Sequence, residues 1–326
     1  MSKSLKIGLL GVGHLGKIHL KCLLELVDTY ELVGFFDPND QHAAKAIEMH
    51  GIKRFDNIDE LLGAVDVVDI VTPTPSHFEL GMKAIAAGKH IFVEKPITST
   101  LEQAIALEQA AREKGILGQV GFVERFNPAF LALNGHTIEP MFVEAHRLAV
   151  FNPRGTDVSV VLDVMIHDLD ILLKLINSPV KAVKANGVAI VSPEADIANA
   201  RIEFQNGAVA NITASRISLK TMRKFRLFQA DAYISLDFLE KKTEIVRLYD
   251  TLPIDKDNLM ELDTYKGKRF LEIEMPEMAA VNAIKTELAL FAESILTATT
   301  PTVPLSDGVH ALDLAYQIME AMKANT

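Results

Sequence analysis

The sequence predicts an α/β N-terminal domain built on a doubly wound parallel sheet, followed by an α+β domain built on a large, mostly antiparallel open sheet. Three observations carry that expectation. At about 100 to 200 residues per domain, a chain of 326 residues has room for two cores. Up to Gly121, short apolar runs alternate with amphipathic stretches, the rhythm of strands joined by crossover helices. After Phe122 the rhythm changes to strand following strand, as in an antiparallel sheet.

In the first part, strands are expected at 6–10, 32–36, 67–71, 90–93 and 117–121. Helices are expected at 15–27, 41–50, 78–87 and 101–114, where apolar residues recur at three- and four-residue spacing. In the second part, strands are expected at 141–150, 180–191, 198–204, 208–216, 224–228 and 232–238. One helix, 163–176, interrupts them and stops at Asn177-Ser178-Pro179, because proline cannot continue the turn. Helices at 278–298 and 307–322 flank a proline-broken link. The expected division is therefore 1–122, 123–302 and a final helical segment, 303–326.

The composition narrows the class of function. Lysine and arginine number 33 against 43 aspartates and glutamates, a net charge of −10. An acidic chain without a long basic run lacks the cationic surface that nucleic acid or an anionic membrane requires, so a small-molecule partner is expected. The single cysteine, Cys22, cannot form an internal disulfide and reads as a small core residue, which suits a reducing compartment. No apolar run reaches the ~18 residues of a membrane span, and no signal peptide is evident; a cytoplasmic location is expected.

The most informative motif follows the first expected strand and opens a helix: Gly11-Val12-Gly13-His14-Leu15-Gly16. Gly11 permits a tight turn, Gly13 lets the backbone approach a pyrophosphate, and Gly16 lets helix and strand pack closely. Asp37, at the end of the second strand, stands where a ribose-binding carboxylate belongs. Its charge opposes a 2′-phosphate, and Pro38-Asn39-Asp40 supplies no cation to offset that repulsion. NAD is thus favoured, with NADP possible. His14 and Leu15 lie within the turn and are expected beside the phosphates. Thr72-Pro73-Thr74-Pro75-Ser76-His77 and Glu94-Lys95-Pro96 follow the third and fourth strands, at the carboxyl edge where open parallel sheets place ligands. Thr72, Pro73, His77, Glu94 and Lys95 are therefore candidate cofactor contacts. The first loop can equally be a stiff turn, and a lysine at a strand end can be a solvated charge.

Asp163 and His167 are four residues apart, so on a helix they share one face. A histidine with an ordinary pKa of ~6.5 can take a proton from an alcohol or return one to a ketone near neutral pH. The pair also suits a surface helix with a capping aspartate. No cysteine cluster or His-Glu-x-x-His pattern suggests a metal centre.

Together, the Gly11 to Gly16 turn, Glu94-Lys95-Pro96, the segment from Gly121-Phe122 through Arg125-Phe126-Asn127-Pro128, and Asp163 with His167 resemble the glucose-fructose oxidoreductase, inositol dehydrogenase and rhizopine-catabolism (Gfo/Idh/MocA) family. The resemblance covers almost the whole chain. It implies a Rossmann domain that binds NAD or NADP, an open sheet that mediates oligomers, and a polyol, sugar or nucleotide sugar as substrate. It also implies that the helix after Pro304 returns to the cofactor domain. Carried onto this sequence, the family's catalytic set falls on Lys95, Asp163 and His167. His167 would take the hydroxyl proton while Lys95 and Asp163 hold that oxygen, and the nicotinamide would receive the hydride. Arg125 and Asn127 would touch substrate by analogy, or else serve the domain junction.

Between Arg216 and Arg226 stand five basic residues and no acidic one: Arg216, Lys220, Arg223, Lys224 and Arg226. They could meet the diphosphate of a nucleotide sugar, or form a solvated strand face or a subunit contact. Residues 196–216 resemble family members that act on UDP-N-acetylglucosamine-type substrates. Two other functions fit the same motifs: a non-catalytic NAD-binding sensor, and a recycled-hydride enzyme such as an NAD-dependent glycosidase.

Overall fold

The computed structural model describes residues 4–152, 158–254, 256, 259–265, 267–276 and 281–324. The chain forms two compact units, one of Met1–Phe126 with Val281–Asp313 and one of Asn127–Ala280 with Leu314–Thr326.

In the first unit, β1 (Leu5–Leu10), β2 (Tyr30–Phe36), β3 (Val67–Ile70), β4 (His90–Glu94) and β5 (Gly118–Gly121) form a parallel sheet in the order β2-β1-β3-β4-β5. The strand order reverses between β1 and β3, the switch point at which doubly wound sheets bind ligands. Helices α1 (His14–Leu24), α2 (Asp40–His50), α3 (Ile58–Ala64), α4 (His77–Ala86) and α5 (Leu101–Glu113) connect the strands. All four residues of β3 are buried, which explains its lack of apolar-polar alternation. Sequence periodicity missed α3, whose seven residues span barely two turns. Its start is nevertheless well specified. The Asn57 side chain accepts the Glu60 N–H at 2.9 Å and donates to the Glu60 carboxylate at 2.8 Å, a reciprocal cap.

The second unit opens with α6 (Pro128–Leu131), β6 (Phe142–Leu148) and α7 (Ile166–Leu175). It continues through β7 (Val180–Val188), β8 (Ile197–Phe204), β9 (Val209–Ser215), β10 (Met222–Phe228), β11 (Ala232–Asp237), β12 (Lys242–Tyr249), β13 (Met260–Thr264) and β14 (Gly267–Glu274). These strands form one sheet in the order β13-β14-β12-β11-β10-β6-β9-β8-β7. Only β6 and β9 pair in parallel; every other neighbouring pair is antiparallel. Alternate residues of β6, β8 and β9 are buried, and Val143, Ile202, Ile212 and Phe225 meet Met165, Leu169 and Leu172 in the core. Strands β12, β13 and β14 go beyond the sequence expectation. β13 and β14 are mostly exposed or only half-buried, so they carry no period-two pattern to read.

Two helices close the chain, α8 (Ala283–Thr297) and α9 (Leu305–Ala324); positions 278–280 of the helix expected from 278 lie outside the described residues. The sequence division placed α8 in the second domain. In the structure it belongs to the first unit, where Leu288, Phe291 and Ala292 pack with Leu5, Ile7, Leu23 and Phe92. The Tyr30 hydroxyl donates to the Leu288 carbonyl at 2.9 Å. An apolar helical stripe states that a helix has a core side but not which core it joins. The Val303 carbonyl accepts the Val120 N–H at 3.0 Å, so the segment before α9 covers the outer edge of β5. The division between units falls within α9, after Asp313. Among the described residues, no helix is long and apolar enough to cross a membrane.

Candidate functional site

The glycine turn sits at the carboxyl end of β1. Gly11 has φ +91°, and a Cβ there would lie 2.8 Å from the Val71 carbonyl oxygen. At Gly16 a Cβ would lie 2.1 Å from the Gly11 oxygen, so only glycine allows α1 to leave the turn so tightly. Gly13 differs: nothing lies within 4 Å of the position its Cβ would take. It is the N-cap of α1, and no side chain bonds the first-turn amides. Those N–H groups and the open space beside them suit an anionic pyrophosphate. His14 is exposed at the first position of α1, and Leu15 packs partly against the core beneath.

Asp37 is buried, and two backbone amides fix its carboxylate: Val12 N–H reaches Oδ2 at 2.8 Å and Asn39 N–H reaches Oδ1 at 2.8 Å. The carboxylate is thus tied to the glycine turn itself, with lone pairs left for ribose hydroxyls. Asp37, Gly11, Gly13, His42, Ile58 and Thr72 help line a cavity of about 490 Å³. Its lining combines polar groups such as Asp37 and Thr72 with apolar ones such as Ile58 and Leu80. Sequence reading missed a cation here. Arg54 donates to the Asp37 carbonyl at 2.9 Å and pairs with the Asp40 carboxylate at 2.8 Å. It approaches from 17 residues away, so inspection of Pro38-Asn39-Asp40 could not reveal it.

The loops after β3 and β4 are joined by His77, whose Nε2 lies 2.8 Å from the Thr72 carbonyl and whose Nδ1 lies 2.9 Å from the Pro96 carbonyl. Burial lowers the His77 pKa despite those two carbonyls. His77 therefore serves the path of both loops, while Thr72 and Pro73 line the cavity. Glu94 ends β4 with its carboxylate buried; the Lys95 N–H donates to Oε2 at 3.2 Å, and His19 Nε2 lies 3.1 Å from Oε1. Sequence reading also missed His19. Its one signal was an aspartate, Asp69, inside the apolar run of β3, which accepts from His19 Nδ1 at 2.9 Å.

Asp163 and His167 belong to the second unit, and both are half-buried. Asp163 lies in a π-helical turn, Val161–Met165, and His167 in the first turn of α7. The wider turn alters the i, i+4 relation assumed from an α-helix, and such turns recur at functional sites. Beside them, Asp168 holds Arg147 through two bonds, Nε to Oδ2 at 3.0 Å and Nη2 to Oδ1 at 2.7 Å, both partners buried. Arg125 pairs with Asp307 at 3.2 Å within the first unit. Asn127 caps α6 by accepting the Ala129 N–H at 3.0 Å and donates to the Phe238 carbonyl at 3.0 Å. Both thus have structural bonds.

The basic run does not form one patch. Arg216 is buried, bonded to the Val158 carbonyl with its Nε 3.9 Å from Asp196. Lys224 pairs with Asp237 at 3.4 Å and Arg226 with Glu144 at 2.8 Å. Burial works to raise the Asp196 pKa, but the Ser192 hydroxyl and the amides of Val191, Ile190 and Ser192 outweigh it and hold the carboxyl well below its usual range. The carboxylates that partner these bases come from β6, β11 and the segment before β8, beyond the reach of a local scan.

Residues 5–122 match the model of an oxidoreductase family with an NAD-binding Rossmann fold, and residues 137–234 match the GFO/IDH/MocA C-terminal domain. The chain is 40% identical over 242 residues to UDP-N-acetylglucosamine 3-dehydrogenase of Acidithiobacillus ferrooxidans, covering 74% of this chain and 76% of that protein. It is 32% identical over 236 residues to scyllo-inositol 2-dehydrogenase (NAD(+)) of Bacillus subtilis, covering 67% and 69%. A solved structure of the Acidithiobacillus ferrooxidans enzyme superposes with a TM-score of 0.88 at 33% identity, over 99% of both chains.

Proposed function

Because this chain belongs to the Gfo/Idh/MocA oxidoreductase family, we propose that it moves hydride between NAD and the carbon bearing a secondary hydroxyl of a nucleotide sugar of the UDP-N-acetylglucosamine type. It is an NAD(P)-dependent oxidoreductase acting on a sugar, cyclitol or nucleotide sugar; the finer substrate is our reading. The observation that supports it is the 40% identity to UDP-N-acetylglucosamine 3-dehydrogenase, together with the superposition over 99% of both chains.

The nicotinamide, when bound, supplies the hydride acceptor or donor. Gly11, Gly13, His14, Leu15 and Gly16 would hold the cofactor's phosphates, Asp37 its ribose, and Thr72, Pro73 and Lys95 the remainder, with His77 and Glu94 setting the loops that present them. His167 takes the proton of the substrate hydroxyl, or returns it in the reverse direction, while Lys95 and Asp163 hold that oxygen. Arg125 and Asn127 contact substrate in addition to their structural bonds. NAD is preferred over NADP because the Asp37 carboxylate repels a 2′-phosphate, while the one nearby guanidinium, Arg54, already pairs with Asp40. The first unit carries the cofactor functions, and Asp163 and His167 bring substrate functions to the second.

A second reading has one observation in its favour. Arg216, Lys224 and Arg226 are each matched to a carboxylate, which removes much of the charge a diphosphate would meet and favours a neutral cyclitol. We also propose a cytoplasmic homo-oligomer that binds no nucleic acid. Met222 and Phe228 on β10, Met260 and Leu262 on β13 and Ile273 on β14 are exposed and suit a subunit contact; a one-chain mass by light scattering would count against it.

The deciding experiment follows the reduced-nicotinamide absorbance with NAD and NADP separately, against UDP-sugars, free sugars, sugar acids and cyclitols. A rise with NAD and UDP-N-acetylglucosamine is expected. A rise with cyclitols alone selects the second reading. Silence across the panel despite NAD binding overturns both and points to a sensor or a recycled-hydride enzyme.

A further inference from the structure

We infer that His19 and Glu287 are positioning residues for Lys95, acting through the carboxylate of Glu94. The inference rests on Lys95 being catalytic, and it concerns only groups within the first unit. His19, on α1, is fully buried between two carboxylates, with Nδ1 2.9 Å from Asp69 and Nε2 3.1 Å from Glu94. Nδ1 is hydrogen-bonded to Asp69, whereas Nε2 stands at ion-pair distance from Glu94 without a hydrogen bond, so the hold on Glu94 is electrostatic. Burial alone would lower the His19 pKa; Asp69 and Glu94 outweigh it and hold it well above the ordinary value.

The Glu94 carboxylate then acts as a bridge. One oxygen faces the imidazolium and the other accepts the backbone N–H of Lys95. The opposite wall is Gly121, which pairs with Glu94 across β4 and β5. A Cβ at 121 would lie 2.6 and 2.9 Å from the two Glu94 oxygens. The carboxylate can occupy this position only because residue 121 has no side chain.

Glu287 completes the enclosure from α8. It is fully buried, and neither of its carboxylate oxygens has a hydrogen-bond partner among the described residues. Ligand atoms of His19, Glu94 and Glu287 all lie within 4.8 Å of one another. A second ionised carboxylate this close to Glu94, out of water and without a donor, is strongly disfavoured. Burial and the neighbouring Glu94 charge raise the Glu287 pKa well above its ordinary value, so the neutral acid is favoured. As an uncharged acid, Glu287 closes the pocket around Glu94 without competing for His19. A cation held by the three side chains is the rival arrangement. It would require a lone pair on Nε2, which a His19 kept protonated by its two carboxylate neighbours lacks.

The root of Lys95 at the end of β4 is thereby fixed by a carboxylate that is itself held on several sides. Small displacements of a catalytic group cost rate out of proportion to their size. The test compares the unaltered protein with Glu287→Ala, Glu287→Gln and Gly121→Ala. Amide hydrogen exchange at Lys95 is read by NMR, alongside kcat and KM for NAD with UDP-N-acetylglucosamine and the metal content of the purified protein. Glu287→Ala and Gly121→Ala are expected to speed Lys95 exchange by about tenfold, leaving amides of β1 and β3 unchanged. They should lower kcat by about tenfold with KM for NAD nearly constant. Glu287→Gln, neutral and of the same shape, should restore both. Unchanged Lys95 exchange in both variants, or faster exchange spread through β1 and β3, overturns the inference. So does a stoichiometric metal that is lost in Glu287→Ala. If the unaltered protein does not reduce NAD with any sugar, the functional reading fails, while the exchange pattern still decides whether Glu287 positions Lys95.

Discussion

Asp37 is held by the Val12 and Asn39 amides at 2.8 Å each, so the residue proposed to read the ribose is fastened to the turn proposed to hold the phosphates. Replacing it by alanine should weaken NAD by about tenfold or more, the value of a hydrogen bond to a charged acceptor, and weaken NADP less. Parallel fluorescence titrations with NADH and NADPH check this; an unchanged preference would remove Asp37 from the ribose site. Lys95→Ala and His167→Ala should each lower kcat by about 100-fold or more with the circular dichroism unchanged. Near-normal turnover in either would break the proposed proton path. The tight backbone at Gly11 and Gly16 was legible because a short, contiguous turn states its own geometry. Arg54 and the carboxylates facing the basic run were not, since each partner arrives from a distant segment.

At the scale of elements, α1 carries the clearest physical consequence. Its N-cap is Gly13 at φ −66° and ψ −152°, near the edge of the extended region, and a Cβ there meets no atom within 4 Å. Gly13→Val should therefore leave melting nearly unchanged while filling the space beside the first-turn amides, and it should weaken NADH by about tenfold or more through lost charge-assisted bonds. Equal NADH affinity in the variant would place the cofactor elsewhere. The strands of the first sheet were legible because burial on both faces demands uninterrupted apolar runs. The strands β13 and β14 were not, because neither is dominated by buried residues. The π-turn holding Asp163 was invisible for another reason: its hydrogen-bond pattern differs from that of an α-helix while its composition does not.

At the scale of the whole molecule, the chain leaves the first unit after Phe126 and returns to it at Val281. The expected division brought the chain back to the cofactor domain only at 303 rather than at 281, which is why α8 was assigned to the wrong core. The return also delivers Glu287 into the His19, Asp69 and Glu94 cluster, and that has a consequence for stability against pH. A native carboxyl whose pKa is raised keeps a proton that the unfolded chain releases above about 4.3, so the native state binds more protons and stability falls as pH rises. His19 acts with the same sign, beginning above its unfolded value of ~6.5. Asp69, raised chiefly by burial, adds to the loss, whereas Cys22 and Tyr30, also raised by burial, act only at alkaline pH. The contribution of Glu287 is complete below about pH 4.3 and is lost toward its raised native value, at up to about 1.4 kcal/mol per pH unit. Glu287→Gln removes that titration alone. Denaturant unfolding of the two proteins between pH 5 and pH 8, a range set by about those ordinary values, should therefore show a shallower fall in the variant. Parallel curves would mean that Glu287 is ionised in the native protein and that another group carries the charge balance around Glu94.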